Sequence, residues 1–194
     1  MLYIIRHGQT AGNVAKQLQG RSDNPLNEVG AEQAREAGEL LRQAGVRFAR
    51  VYTSPLVRAV RTAEIIAPDI PQTVDERLIE MDYGPYEGMS LENPTPEVIA
   101  FFKDFAHTPA PEGMEPLDEI VARMGAFLED VRPLADREDI LVSTHAIAMK
   151  GALEYLTPGS DGAYWSTFIA NCAIYTSAVD ENGAWTVPHE WVGA

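Results

Sequence analysis

Two short apolar runs in this chain each lead to a histidine. Leu2-Tyr3-Ile4-Ile5 passes through Arg6 to His7, and Ile140-Leu141-Val142 passes through Ser143-Thr144 to His145. A run of β-forming residues without polar alternation reads as a strand buried on both faces, and such strands belong to parallel sheets covered by helices. Helical patterns fill the space between them. Asn27 caps a helix that reaches Leu41 and stops at Gly45, with Val29, Ala34, Ala37, Leu40, Leu41 and Ala44 as its stripe. A second helix covers 56–67 and is ended by Pro68. Leu117, Ile120, Val121, Met124, Phe127, Leu128 and Val131 line a third over 117–131, and a fourth covers 146–156. Residues 50–53 are expected as a strand, and 173–176 and 185–187 as the last two, joined through Glu181-Asn182-Gly183. The fold class expected is α/β, a three-layer α/β/α chain around a mostly parallel central sheet. Such sheets bind ligands beyond the carboxyl ends of their strands, where both histidines stand.

Residues 81–116 break this alternation. Gly84, Pro85, Gly88, Pro94, Pro96, Pro109, Pro111, Gly113 and Pro116 interrupt every pattern there except a short helix near 97–106, which suggests a lid-like excursion over the sheet. At 194 residues the expectation is one domain, 1–194, with that excursion attached. The single cysteine, Cys172, points to a reducing compartment. No apolar run is long enough to span a membrane, and the first one meets Arg6 too early for a signal-peptide core, so the expected location is cytoplasmic.

A net charge of −14 argues against nucleic acid and anionic membrane as partners. Its distribution says more, because residues 1–61 carry a net +4 and residues 62–194 a net −18. Twelve of the 15 basic residues are arginines, whose planar fork suits phosphate and carboxylate. Arg6 precedes His7, and the open amino end of a helix follows His145, where free N–H groups favour an anion. Arg58, with Arg61 one turn on, begins the helix after Ser54-Pro55 and faces the same edge. Arg6, His7, Arg58 and His145 thus make a candidate cradle for a dianionic phosphoryl group. A neutral imidazole can serve as nucleophile, and Glu80 is a candidate acid, with Glu87 and Glu115 next. His107 and His189 lack such positions and read as structural or surface residues. Two other readings use the same residues: a non-catalytic phospho-ligand binding module, and a metal site of His7, His145 and Glu80, which the neighbouring arginines oppose.

The motifs are also specific to a family. Leu2 to Thr10 with Asn13 resembles the RHG signature of the histidine phosphatase superfamily, which has the phosphoglycerate-mutase-like fold. Gln19-Gly20 with Asp23, Pro25-Leu26 and Gly30 is similar to its QGxxDxPLTxxG stretch. Ser54-Pro55-Leu56-Val57-Arg58-Ala59 with Thr62-Ala63 resembles its SPLxRAxxTA block. Leu78, Glu80, Gly84 and Tyr86-Glu87-Gly88 resemble LxExxxGxWEG, Val142 to His145 resembles the segment of the second histidine, and Asn171 fits before the last strands. The resemblance implies that His7 becomes transiently phosphorylated while Arg6, Arg58 and His145 hold the phosphoryl group and Glu80 protonates the leaving oxygen. It also implies that Asn13, the Gln19-Gly20 backbone and Ala146 line the phosphate or its ester group. No cofactor and no metal are implied. The partner would be a small phosphorylated substrate, with inorganic phosphate as product, and members are often homodimers. A metal-independent phosphatase is the reading favoured, because the 81–116 excursion is short for a lid and Tyr86-Glu87-Gly88 has the phosphatase-branch form. The alternative is a 2,3-bisphosphoglycerate-dependent phosphoglycerate mutase. Ala146, Lys150, Tyr86 and Met114-Glu115-Pro116 depart from the commoner family residues, and all are expected to border the pocket.

Overall fold

The computed structural model describes residues 1–193. Its elements run β1 (Leu2–Arg6), α1 (Ala11–Val14), α2 (Glu28–Gln43), β2 (Phe48–Thr53), α3 (Val57–Ile66), β3 (Gln72–Val74), α4 (Pro96–Lys103), α5 (Leu117–Ala135), β4 (Asp139–Thr144), α6 (Ala146–Leu156), β5 (Ile174–Ser177) and β6 (His189–Trp191). The sheet order is β3-β2-β4-β1-β5-β6. Its first four strands are parallel, β5 runs antiparallel to β1, and β6 runs antiparallel to β5.

Alternation along the central strands divides the core in two. Tyr3, Ile5, Val51 and Leu141 point to the face covered by α2 and α3, where they meet Ala37, Leu41, Ala63 and Ile66. Leu2, Ile4, Ile140 and Val142 point to the other face and meet Met124, Phe127 and Leu128 of α5 with Met149 and Ala152 of α6. The result is the expected α/β/α layering. Fully burying a side chain such as Phe127 stabilises the fold by roughly 1.5–3 kcal/mol.

Four local expectations are corrected. The stripe of α2 is narrower than expected, because Gly30, Ala34, Ala37, Gly38 and Leu41 are buried while Val29 and Leu40 are exposed. Small residues let this helix lie close to the sheet, and the larger ones fall beyond the contact. The short strand β3 was not anticipated from its polar sequence. The final strand is 189–191 instead of 185–187, because Pro188 has no N–H for the ladder and splits the hairpin into a bridge at Val179–Trp185 and the β5–β6 pair. Helix α5 continues past Val131 and through Pro133 to Ala135, burying both Val131 and Ala135.

The 81–116 excursion is not a detached flap. Val98 and Phe101 of α4, with Phe105, join the larger core. Its start pairs with the segment after α1 through Leu18 N–H to the Met89 carbonyl (2.9 Å), and its end is held by the Arg123–Glu115 ion pair (2.6 Å).

The loop after β1 is pressed against the start of α2. A β-carbon on Gly8 would lie 2.3 Å from the Gly30 carbonyl oxygen, and one on Gly30 would lie 2.1 Å from that of Gln9. Asn27 caps α2 by accepting from the Gly30 N–H (2.8 Å) and also donates to the Gln9 side chain (2.9 Å). Gly30→Ala should therefore cost about 2 kcal/mol and lower the melting temperature by about 6 °C. A thermal melt within 1 °C of the parent, roughly the scatter expected of a neutral change, would show that the two backbones have room to separate.

Candidate active site

The parallel register of β1 and β4 pairs Arg6 with Thr144, so the residues that follow, His7 and His145, leave the sheet side by side. Their ring centroids are 5.1 Å apart at 61°. A carbonyl can only accept, so the 2.7 Å contact between His7 Nδ1 and the Gly8 carbonyl puts the proton on Nδ1. The lone pair is left on Nε2. His145 Nε2 meets the Ser54 hydroxyl at 2.7 Å, at the carboxyl end of β2, the next parallel strand.

Arg58, on the first turn of α3, is fully buried and donates to the carbonyls of Ser22 (2.6 Å), Gly20 (2.8 Å) and Gln19 (3.3 Å). It thereby closes the 19–22 loop as well as bringing charge to the site. Thr62, one turn on, donates to the Arg58 carbonyl (2.7 Å) and accepts from the Gly8 N–H (3.1 Å), which ties α3 to the His7 loop. Arg61, in contrast, is exposed and pairs with Glu64 outside the site. Arg6 donates to the Ile169 carbonyl at 2.6 Å. The Nε atoms of Arg6 and Arg58, Nδ1 of His145 and Nε2 of Gln19 are buried and have no partner. Buried polar atoms are seldom left so, and guanidinium and amide N–H groups without acceptors suit an anion.

Burial and then the positive charges of Arg58 and Arg6 hold His7 well below the usual histidine range. His145 is lowered for the same reasons, burial first and Arg58 next. Both imidazoles are neutral near pH 7. The Glu80 carboxylate lies across the amino end of α6, accepting from the N–H groups of Met81 (2.8 Å), Ala148 (3.0 Å) and Ile147 (3.2 Å).

These groups meet at a cavity of about 390 Å³ walled by Arg6, His7, Asn13, Gln19, Glu80 and Ala146 among others. Arg58 and His145 form a buried layer behind that wall. Asn13 is held by the Thr10 N–H (3.1 Å) and by Asn171 (3.2 Å), which also donates to the His7 carbonyl (3.0 Å). Gly20 does not reach the cavity, because its N–H is taken by the Glu87 carboxylate at 2.9 and 3.0 Å. Glu87 also accepts from the Ser22 N–H (3.2 Å), and Glu115 accepts from Arg123 and from the Asp82 N–H (3.0 Å), so neither reserve acid faces the cavity. Of the four departures from the family pattern only Ala146 lines it. Lys150 turns away to the Trp165 carbonyl (2.7 Å), with burial bringing its ammonium down to about 8; Met114 lies in the core, and Tyr86 reaches Glu97 (3.3 Å). His107 pairs with Asp104 on the surface, and His189 lies on the edge strand β6. Among the described residues no cluster of His, Cys, Asp and Glu could hold a metal ion, so His7, His145 and Glu80 do not assemble one.

Ser54 and Asn171, which the sequence reading named only within family motifs, and Tyr83, Phe102 and Phe168, which it did not name, also belong to the site. The rule that picked out His7 and His145, position at the end of a parallel strand, would have found Ser54. The other four sit on loops, on a short turn or in α4, where no periodicity marks them.

A central parallel sheet with paired histidines and arginines at its carboxyl edge defines a class of phosphoryl-handling proteins. The chain belongs to the histidine phosphatase superfamily (branch 1), whose pattern it matches over residues 2–191, and is an enzyme of that family. It is 34% identical over 173 residues to the "Uncharacterized phosphatase PhoE" of Bacillus subtilis (strain 168), covering 88% of this chain and 84% of that one. It is 33% identical over 198 residues to the "Probable phosphoglycerate mutase GpmB" of Proteus mirabilis (strain HI4320), covering 98% and 89%. Bacillus stearothermophilus YhfR superposes with a TM-score of 0.84 at 28% identity, covering 96% of this chain and 94% of that one.

The depressed histidines have a consequence for stability. An unfolded chain protonates both rings near pH 6.5 while the folded one does not, so the unfolded state binds more protons below that pH and stability falls as pH falls. Each ring contributes at most about 1.4 kcal/mol per pH unit. Thermal melts from pH 7.5 to 5.5 should show a steeper loss for the parent than for His7→Gln. Identical slopes would mean that His7 takes its proton readily in the folded state.

Proposed function

We propose that the chain hydrolyses small phosphomonoesters through a phosphohistidine on His7, without a metal. The observation that carries this reading is the fixed His7 tautomer: a neutral ring with Nδ1–H tied to a carbonyl and the lone pair on Nε2, on a cavity wall it shares with Arg6. In the first step Nε2 attacks phosphorus, the ester P–O bond breaks, and Glu80 gives its proton to the leaving oxygen, releasing an alcohol. In the second, Glu80 takes a proton from water, the oxygen adds to phosphorus, the P–N bond breaks, and inorganic phosphate leaves with His7 restored. Arg6, Arg58, His145 and the N–H of Ala146 would hold the equatorial oxygens, whose charge grows in the transition state. Asn13 and Gln19 would line the ester.

Identity and length do not separate hydrolase from mutase among the relatives, since the two compared differ little in either. The cavity supports the hydrolase. A bisphosphorylated, carboxylated ligand needs cations beyond the inner cradle, and the one further cation on the wall is Lys16, engaged by Glu92 at 3.0 Å.

His7→Ala should reduce phosphate release by about 10⁴-fold or more, and rapid quenching of the parent with labelled substrate should leave acid-labile phosphate on His7. Substantial turnover by a pure His7→Ala preparation would refute the covalent route. Glu80→Gln should slow an alkyl phosphate about tenfold more than a nitrophenyl phosphate, whose leaving group needs little protonation. Equal slowing of both esters would make Glu80 a positioning residue.

A further inference from the structure

Four hydroxyl side chains crowd the carboxyl ends of β2 and β4, and all four are fully buried: Thr53, Ser54, Ser143 and Thr144. Three of them donate to backbone carbonyls, Thr53 to that of Ser54 (3.0 Å), Ser143 to that of Ala59 (2.8 Å) and Thr144 to that of Leu78 (2.7 Å). Those bonds fasten the sheet edge to its surroundings. Ser54 is the exception, since its hydroxyl meets a side chain of the site, His145 Nε2 at 2.7 Å.

The sheet fixes that meeting. Thr53 lies opposite Ser143 in the parallel β2–β4 register, and the Ser54 N–H carries the ladder one rung further to the Ser143 carbonyl (3.0 Å). The Ser54 oxygen also accepts from the N–H of Leu56, just before α3 (3.3 Å). Among the described residues the hydroxyl proton then has one acceptor in reach, Nε2 of His145. With the roles reversed and Nε2–H donating to Ser54, a buried hydroxyl proton would lack an acceptor and Nδ1 would be a buried lone pair without a donor. When Ser54 donates, a single buried group is left unmet, the Nδ1–H of the neutral His145 ring.

Both imidazoles thus carry their proton on Nδ1, and their partners give them opposite tasks. In His7 the Gly8 carbonyl takes the Nδ1 proton and frees the Nε2 lone pair. In His145 the Ser54 hydroxyl takes the Nε2 lone pair and frees the Nδ1 proton. The rings stand 5.1 Å apart, and Nδ1 of His145 is buried without a partner, as are the Nε atoms of Arg6 and Arg58.

We infer that Ser54 is a positioning residue: its hydroxyl holds His145 in the Nδ1–H tautomer, so that this ring is a donor to a phosphoryl oxygen and not a second lone pair facing it. This rests on the reading of His145 as a holder of the phosphoryl group. Ser54 does not line the cavity and acts through the ring alone.

The test reads the ring directly, in proton–nitrogen correlation spectra of the full chain near neutral pH. His145 is assigned by the signals lost in His145→Gln or, if that variant misfolds, by elimination with His7→Gln, His107→Gln and His189→Gln. Nε2 of His145 should appear as a bare acceptor and Nδ1 as the protonated nitrogen, and adding inorganic phosphate should shift Nδ1 and its proton while Nε2 hardly moves. A protonated Nε2, or an Nδ1 signal indifferent to phosphate, would overturn the assignment. Ser54→Ala should mix the two tautomers and lower kcat/KM about 10–100-fold, mostly through kcat, because the donor acts on charge that grows in the transition state. Ser54→Thr, which keeps the hydroxyl, should restore both tautomer and rate. A Ser54→Ala protein that melts lower but keeps the parent's kcat/KM and His145 spectrum would make Ser54 merely structural. Should Ser54→Ala fail to fold, the parent's spectra decide alone. Failure to hydrolyse any ester would instead sink the hydrolase reading, and the phosphate titration of the parent would still decide the role of Ser54.

Discussion

The site depends on one backbone pairing. The His7 N–H donates to the Thr144 carbonyl at 2.9 Å, the last rung of the β1–β4 ladder, and beyond it both chains turn away from the sheet. Residues from opposite ends of the sequence become neighbours because parallel strands in register end together. A slip of one residue in that register would send one histidine to the other face of the sheet. The packing that resists the slip is apolar and extensive, since Leu2, Ile4, Ile140 and Val142 share one face and Tyr3, Ile5 and Leu141 the other.

Charge is the second constraint. Arg58 is fully buried and Arg6 partly so, with Glu80 as the strongest carboxylate influence on both. Carbonyl oxygens of 19–22 and of Ile169 take up part of the guanidinium donors, and the loops keep their shape because those carbonyls have no other partner of comparable strength. A dianion arriving about 5 Å from one guanidinium gains about 6–7 kcal/mol at an effective dielectric near 20. An unpaired buried donor costs only about 1–3 kcal/mol. Charge attraction, more than the completion of hydrogen bonds, therefore decides what the floor of the cavity accepts. Burial first, and the same field after it, keep both imidazoles neutral, which a nitrogen nucleophile requires.

Segments far from the histidines in sequence set the shape of the opening. Glu87 gathers the backbone of 20–22, and Glu115 with Arg123 fixes the far end of the excursion. Carboxylates that look like spare acids in the sequence are thus structural fasteners, and the cavity is left with Glu80. The aromatic column from Trp165 through Phe105 to Phe102 links the cavity wall to the core, so that wall inherits the rigidity of the larger apolar cluster.

Much of this was legible in the amino-acid order. Unbroken apolar runs could only be satisfied as buried parallel strands, and histidines at their ends then had to stand at the ligand-binding edge. The family motifs marked Arg58, Glu80, Asn13 and Gln19 through local spacing. Pairing across the sheet, in contrast, leaves no local trace. Nothing near Gly20 shows that Glu87 occupies its N–H, nothing near Lys150 shows that it faces Trp165, and nothing in residues 91, 102 and 168 announces a common opening. Periodicity and motif record what a residue needs from its neighbours in the chain. Hydrogen-bond partners and cavity walls are chosen among residues brought together only when the two apolar faces are buried, so the tertiary structure alone decided them.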